Sequence, residues 1–233
     1  MKLVHYHYAI EPDGISITMN IPKRSDIVPV LYLGGSGGAF ISSFLYHARE
    51  KSNHWVLSEN GNAHATKRDA GTLHRGVRAR PIDHINTICQ LPVTDVVKYI
   101  PTHCSDPDLA LLYFDKIIKI YNTEADQHDI ALAFISKWGA DDHQLPPAQL
   151  KLMVKSAMTS YTDFPALCNK YSELDSVLNI SWQEIMHDDP AVLVHKLSEF
   201  TGLPVANFPQ EQLLTWRGLT RQAIEKYRSL LLT

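Results

Sequence analysis

Val28-Pro29-Val30-Leu31-Tyr32-Leu33-Gly34-Gly35-Ser36-Gly37-Gly38-Ala39-Phe40 is the stretch on which the fold turns. Its first six residues are an apolar run with β-branched members, short enough for a strand buried on both faces. Four glycines in the next five positions stop that run at once. From Ala39 the period changes: Phe40, Phe44, Leu45 and Ala48 fall on one helical stripe, and Arg49, Glu50 and Lys51 close it. Glycines after a buried strand let the backbone turn sharply and gather several N–H groups into one hollow. A helix that follows adds its own free amides and the positive end of its dipole. Ser36 offers a hydroxyl donor besides. The stretch predicts a cradle for a phosphate or sulfate group; the other reading of the same glycines is a turn that packs a helix close to a strand.

Working outward, short apolar strands are expected near 96–101, 117–121 and 177–180. A helix near 128–138 would bury Ile130, Leu132, Phe134 and Ile135, and 146–171 reads as two helical pieces split near Thr162-Asp163. Ser181-Trp182-Gln183-Glu184 has the form of a capping box. Asp189-Pro190 starts another helix, with Leu193, Leu197 and Phe200 as its stripe and Gly202 as its stop. One or two helices fill 210–232. Strands separated by helices argue for parallel pairing through right-handed crossovers. The expectation is one three-layer α/β/α domain over residues 1–233 with a central, mostly parallel sheet. A hairpin of 3–9 and 15–19, turned at Pro12-Asp13-Gly14, would lie on an edge. Sites in such sheets sit past the carboxyl ends of the strands. Gly34, Gly35, Ser36, Gly37 and Gly38, then His103, then Asn122 all follow strand ends.

Composition narrows the rest. A net charge of -3 and a pI near 6.4 give no global pull toward nucleic acid or an anionic membrane, so an anion site must be local. No apolar run approaches the roughly 18 residues of a membrane span, and residues 1–9 have no leader pattern, so a cytoplasmic location is expected. Three widely spaced cysteines, Cys89, Cys104 and Cys168, read as reduced thiols, two of them buried. The twelve histidines are scattered without ligand spacing, and no metal is expected. Residues 58–80 form a polar excursion. Lys67, Arg68, Arg75, Arg78 and Arg80 make it basic, either to supply positive charge or as a solvated loop. Asp141-Asp142-His143 reads as an ordinary connecting loop, and Trp182, Trp216 and Phe200 as core.

Two familiar phosphate motifs fail on particular atoms. No lysine follows the glycines, as G-x-x-x-x-G-K-[ST] requires, and the spacing G-x-G-x-x-G is absent. The loop, with Ser36 and Gly37 in register and Phe40 in the aromatic place, resembles the sulfotransferase loop Pro-Lys-Ser-Gly-Thr-Thr-Trp. Thr102-His103 is similar to that family's Lys-Thr-His element, and residues 116–121 resemble the strand that leads to its 3′-phosphate site. Residues 180–204 resemble its late strand-helix block, and Trp216-Arg217-Gly218 its Arg-Lys-Gly element. In order, these pieces cover most of 28–218.

The resemblance implies a P-loop-type sulfotransferase fold, with 3′-phosphoadenosine 5′-phosphosulfate as donor and a hydroxyl or amine as acceptor. It implies that Gly34, Gly35, Ser36, Gly37, Gly38, Ala39 and Phe40 hold the 5′-phosphosulfate, and that Asn122, Arg217 and Gly218 lie at the nucleotide. His103 would be the base. The chain departs from the pattern where charge matters: Gly35 and Pro101 stand in lysine positions, Asn122 in an arginine position, and Ala133 in that of an assisting serine. Each lost cation removes a charge-assisted contact. A non-catalytic nucleotide- or anion-binding protein on the same fold, or a divergent P-loop kinase, are the alternatives.

Overall fold

The computed structural model describes residues 3–10, 15–51, 57, 80–137 and 146–232, with side chains from Lys23 onward, Ser160 excepted. β1 (Leu3–Ile10) and β2 (Ile15–Pro22) pair antiparallel, from Leu3↔Pro22 to Ile10↔Ile15. They form a two-stranded sheet of their own, which corrects the expected place on an edge of the main sheet. Pro22 ends β2 with no N–H to extend a ladder. The chain is then tied elsewhere: Arg24 grips Asp26 at two points, 2.6 and 2.7 Å, and donates to the carbonyls of Cys89 and Leu91. The turn read at 12–14 lies outside the described residues.

The main sheet has four parallel strands in the order β4-β3-β5-β6, flanked by helices. They are β3 (Ile27–Leu31), β4 (Lys98–Thr102), β5 (Ile117–Tyr121) and β6 (Val177–Ser181). β3 lies inside the sheet, with Leu31 opposite Thr102 on one side and opposite Lys119 on the other. All its residues are buried, as an unbroken apolar run requires. Pro101 falls on β4, an edge strand, where a missing N–H is tolerated.

The helices are α1 (Gly38–Glu50), α2 (Pro81–Cys89), α3 (Pro107–Tyr113), α4 (Gln127–Lys137), α5 (Pro147–Asp163), α6 (Trp182–Met186), α7 (Pro190–Thr201) and α8 (Gln210–Leu232). The capping box is formed: Ser181 Oγ accepts from the Glu184 amide at 3.1 Å, and Glu184 Oε2 accepts from the Ser181 amide at 2.6 Å. Asp189 caps α7 through the Ala191 amide at 2.9 Å, and Gly202 ends it. α2 and α3 were not foreseen, though each opens on a proline, and Asp106 caps α3 as Asp189 caps α7.

A hydrophobic cluster draws on all four parallel strands and all eight helices. Side chains such as Phe40, Ile41 and Phe44, at most 1% exposed, stabilise the fold by roughly 1.5–3 kcal/mol each. Trp182 and Trp216 belong to this core, and Phe200 packs half-buried against it. Only Cys104 of the three thiols is buried; Cys89 and Cys168 are half-buried, which corrects the expectation of two. Among the described residues no helix is long and apolar enough to cross a membrane.

Candidate functional site

After β3 the chain closes a tight turn in which the Ser36 amide donates to the Leu33 carbonyl at 3.0 Å. The Ser36 hydroxyl donates to the same carbonyl at 2.7 Å. A hydroxyl has a single proton to give, so the expected donation from Ser36 Oγ to an anion is corrected: that group fastens the turn. Gly35 and Gly37 have φ of +87° and +86°, a region that side-chain-bearing residues rarely enter. The loop is also tightly covered. A Cβ on Gly34 would lie 2.5 Å from the Phe134 ring, and one on Gly35 2.2 Å from the Ile130 carbonyl oxygen. α4 therefore lies directly on the loop.

Gly37 is the N-cap of α1, and its carbonyl accepts from the Ile41 amide at 2.9 Å. No side chain caps this helix start, and its first turn holds no acidic residue. The amides of Gly38 and Ala39 make no hydrogen bond among the described residues, so the positive end of the helix is uncompensated. The indole of Trp216 borders the same place. Its Cη2 and Cζ2 atoms lie 3.1 and 3.4 Å from the position of a Gly37 Cβ. Phe40 stacks on it at 4.4 Å, and Trp182 meets it edge-on at 6.2 Å. Trp216 is 0% exposed, and its Nε1, two bonds from Cζ2, has no partner among the described residues. A buried donor without an acceptor costs about 1–3 kcal/mol.

His103 follows β4 at the same end of the sheet. Its Nδ1 lies 3.0 Å from the Tyr32 carbonyl, and its ring meets the Tyr32 ring at 4.4 Å. A carbonyl only accepts, so Nδ1 carries the proton of this bond, and in a neutral ring Nε2 is then the accepting nitrogen. The Tyr32 ring in turn packs on Gly38, which ties His103 to the glycine loop. The Tyr32 hydroxyl is buried without a partner among the described residues, and burial raises its pKa.

Asn122 follows β5. Leu31 and Lys119 are paired in parallel, so Asn122 follows its strand at the same end of the sheet as Gly34. Asn122 is 0% exposed, and both its amide atoms lack partners among the described residues. It helps to line a cavity of about 550 Å³ with Thr123, Gln127, Tyr161 and Thr162.

The two nucleotide contacts expected on α8 have these surroundings. Arg217 is 4% exposed and donates to the carbonyls of Ile185, Asp188 and Glu184 at 2.6, 2.7 and 3.0 Å. Its guanidinium satisfies the open end of α6 and the turn beyond it. Gly218 sits inside α8, where a Cβ would meet nothing within 4 Å. Gly218→Ala should therefore raise stability by about 0.5–1 kcal/mol, since it removes backbone freedom from the unfolded chain at no steric cost. A fall in the urea midpoint of that variant would show that the position needs its glycine.

Among the described residues no three His, Cys, Asp or Glu side chains converge as a metal site would require. Arg80 is paired with Asp83 at 3.0 Å, while Lys67, Arg68, Arg75 and Arg78 lie outside the described residues, as does Asp141-Asp142-His143. Comparison with known proteins finds no matching family model, no matching curated protein and no matching solved structure.

Proposed function

We propose that this protein binds 3′-phosphoadenosine 5′-phosphosulfate and transfers the sulfuryl group to a hydroxyl or amine acceptor. The reading rests on one observation above the others: the groups left unpaired at the start of α1, and on the indole that borders it, are donors. The Gly38 and Ala39 amides and the Trp216 Nε1–H have no acceptor among the described residues, and a phosphate or sulfate group is what they lack. The strand order supports it. β3 has β4 on one side and β5 on the other, so the loop leaves the sheet where the chain switches direction, the usual place for a ligand in an open α/β sheet.

In the transfer step, the bond between sulfur and the 5′-phosphate oxygen breaks as the acceptor oxygen or nitrogen bonds to sulfur. The acceptor's proton passes to His103 Nε2, and 3′-phosphoadenosine 5′-phosphate leaves with the electron pair. The loop amides hold the leaving phosphate, and Asn122 meets the nucleotide with one donor and one acceptor. Such a step needs positioning and charge stabilisation more than covalent chemistry from the protein.

A binding protein without transfer is the second reading. Arg217, committed to three carbonyls, and Gly35, covered by α4, both favour it. Calorimetry with 3′-phosphoadenosine 5′-phosphate, ATP and NADH in parallel tests the donor class. The first should bind tightest. Preference for ATP would favour a kinase-like protein, and no heat from any of the three would remove the nucleotide reading.

A further inference from the structure

Ile130, Phe134 and Lys137 are spaced i, i+4 and i+7, so they share one face of α4. The first two cover Gly35 and Gly34. Lys137 continues that face, and its Nζ stands 4.8 Å from the centre of the Trp216 ring, the ring whose edge borders Gly37. We infer that Lys137 is the cation of this site: its ammonium pairs with the sulfate or phosphate oxyanion held at the glycine loop. This rests on the reading that the loop holds such an anion, and it names a binding group that the loop itself does not carry.

A lysine in the last turn of a helix is ordinary, because it offsets the dipole. The surroundings of Lys137 are not. Its ammonium has no carboxylate or carbonyl partner among the described residues, only the indole face. Lys119, the fully buried lysine of β5, differs: its ammonium donates to the Asn169 carbonyl. Packing around the Lys137 ammonium lowers its pKa to about 8, and desolvation is the cause. Among the described residues its neighbours carry no compensating charge. On α8, Arg217 and Arg221 are turned onto carbonyls of α6 and its following turn, and Arg228 is paired with Asp129 near the start of α4. Lys151 and Lys155 of α5 are exposed. Trp216 supplies the independent sign of a ligand, since its buried Nε1–H on the edge beside Gly37 has no partner among the described residues. An ammonium, an indole N–H and two amides are all donors, and one oxyanion would satisfy them together.

The test is calorimetry of the full chain with inorganic pyrophosphate and, in a second arm, 3′-phosphoadenosine 5′-phosphate. Lys137→Met should weaken pyrophosphate binding by about tenfold or more, the scale of one charge-assisted contact, while Lys137→Arg keeps most of it. Sulfate, whose charge is constant over the range, reads the pH dependence. Its affinity for the wild type should fall as pH rises through about 8, where the ammonium is lost, and that fall should vanish in Lys137→Met. Folding is read separately. The lowered pKa means that Lys137 is more protonated in the unfolded chain between about 8 and 10.5; Lys119, also lowered to about 8, acts alike, so what Lys137 adds is read as a rise with pH in the stability of the wild type relative to Lys137→Met. Equal pyrophosphate affinity in wild type and Lys137→Met overturns the role of Lys137 and leaves the loop as an anion site. Lys137-dependent pyrophosphate binding without any binding of the nucleotide upholds Lys137 and removes the sulfuryl-donor reading. No binding of any of these anions to the wild type overturns both.

Discussion

Gly35→Ala is expected to lower stability by about 2–5 kcal/mol, from two sources acting together. At φ +87° the backbone is left-handed, which costs a residue with a Cβ about 1–2 kcal/mol. The added methyl would also lie 2.2 Å from the Ile130 carbonyl oxygen and 2.9 Å from the Phe134 amide nitrogen. Both are backbone atoms of α4, so no rotamer change relieves the contact, and overpacking of this kind adds about 1–3 kcal/mol. Urea denaturation followed by tryptophan fluorescence should show a lower midpoint with an unchanged slope. An unshifted midpoint would mean that α4 does not lie on the loop. The same geometry gives a physical reason why a lysine cannot stand at position 35: its Cβ has no room. A cation for the loop must then come from another element, and the face of α4 that excludes a side chain there is the face that carries Lys137.

The strand-loop-helix at 28–50 was legible because the three parts differ in kind: an apolar run, glycines, then a 3.6-residue stripe. The block from Ser181 to Gly202 was legible because its caps are local, each set by residues within three positions of one another. α3 carries the same Asp-Pro signal at Asp106-Pro107, but its seven residues make too short a stripe to stand out by period. The donors of the site were harder. Trp216 and Arg217 are adjacent on α8, and one residue turns the helix by about 100°. Arg217 turns onto the carbonyls of α6, and the indole of its neighbour is what borders the loop. Ser36 was placed correctly but misjudged, because nothing in the sequence says that its hydroxyl closes its own turn. Lys137 lay in plain view at i+7 from Ile130. Its meaning depends on α4 resting against the loop, a tertiary contact between residues about a hundred positions apart.

Transfer, if it runs through His103, should fall by about 10²–10⁴-fold in His103→Ala, the usual worth of a positioned general base. His103 is 4% exposed and joined to Tyr32, so the alanine variant also opens a cavity and removes a donor. His103→Asn separates the effects. Its side-chain nitrogen can take the place of Nδ1 and keep the bond to the Tyr32 carbonyl, yet an amide cannot accept the acceptor's proton. Turnover should therefore drop in both variants, while stability suffers mainly in His103→Ala. Affinity for 3′-phosphoadenosine 5′-phosphate should barely change in His103→Asn, since this side chain serves the acceptor rather than the donor. The wild-type rate should rise with pH as the imidazole becomes neutral, and the variants should lose that rise. The assay is transfer of radiolabelled sulfuryl groups across a panel of hydroxyl and amine acceptors, sensitive enough for a site with few cations. If His103→Asn weakens nucleotide binding and no acceptor is ever labelled, the binding-only reading prevails. If transfer continues unchanged in both variants, the base lies elsewhere. His84, 2% exposed on α2, is then the first described histidine to replace.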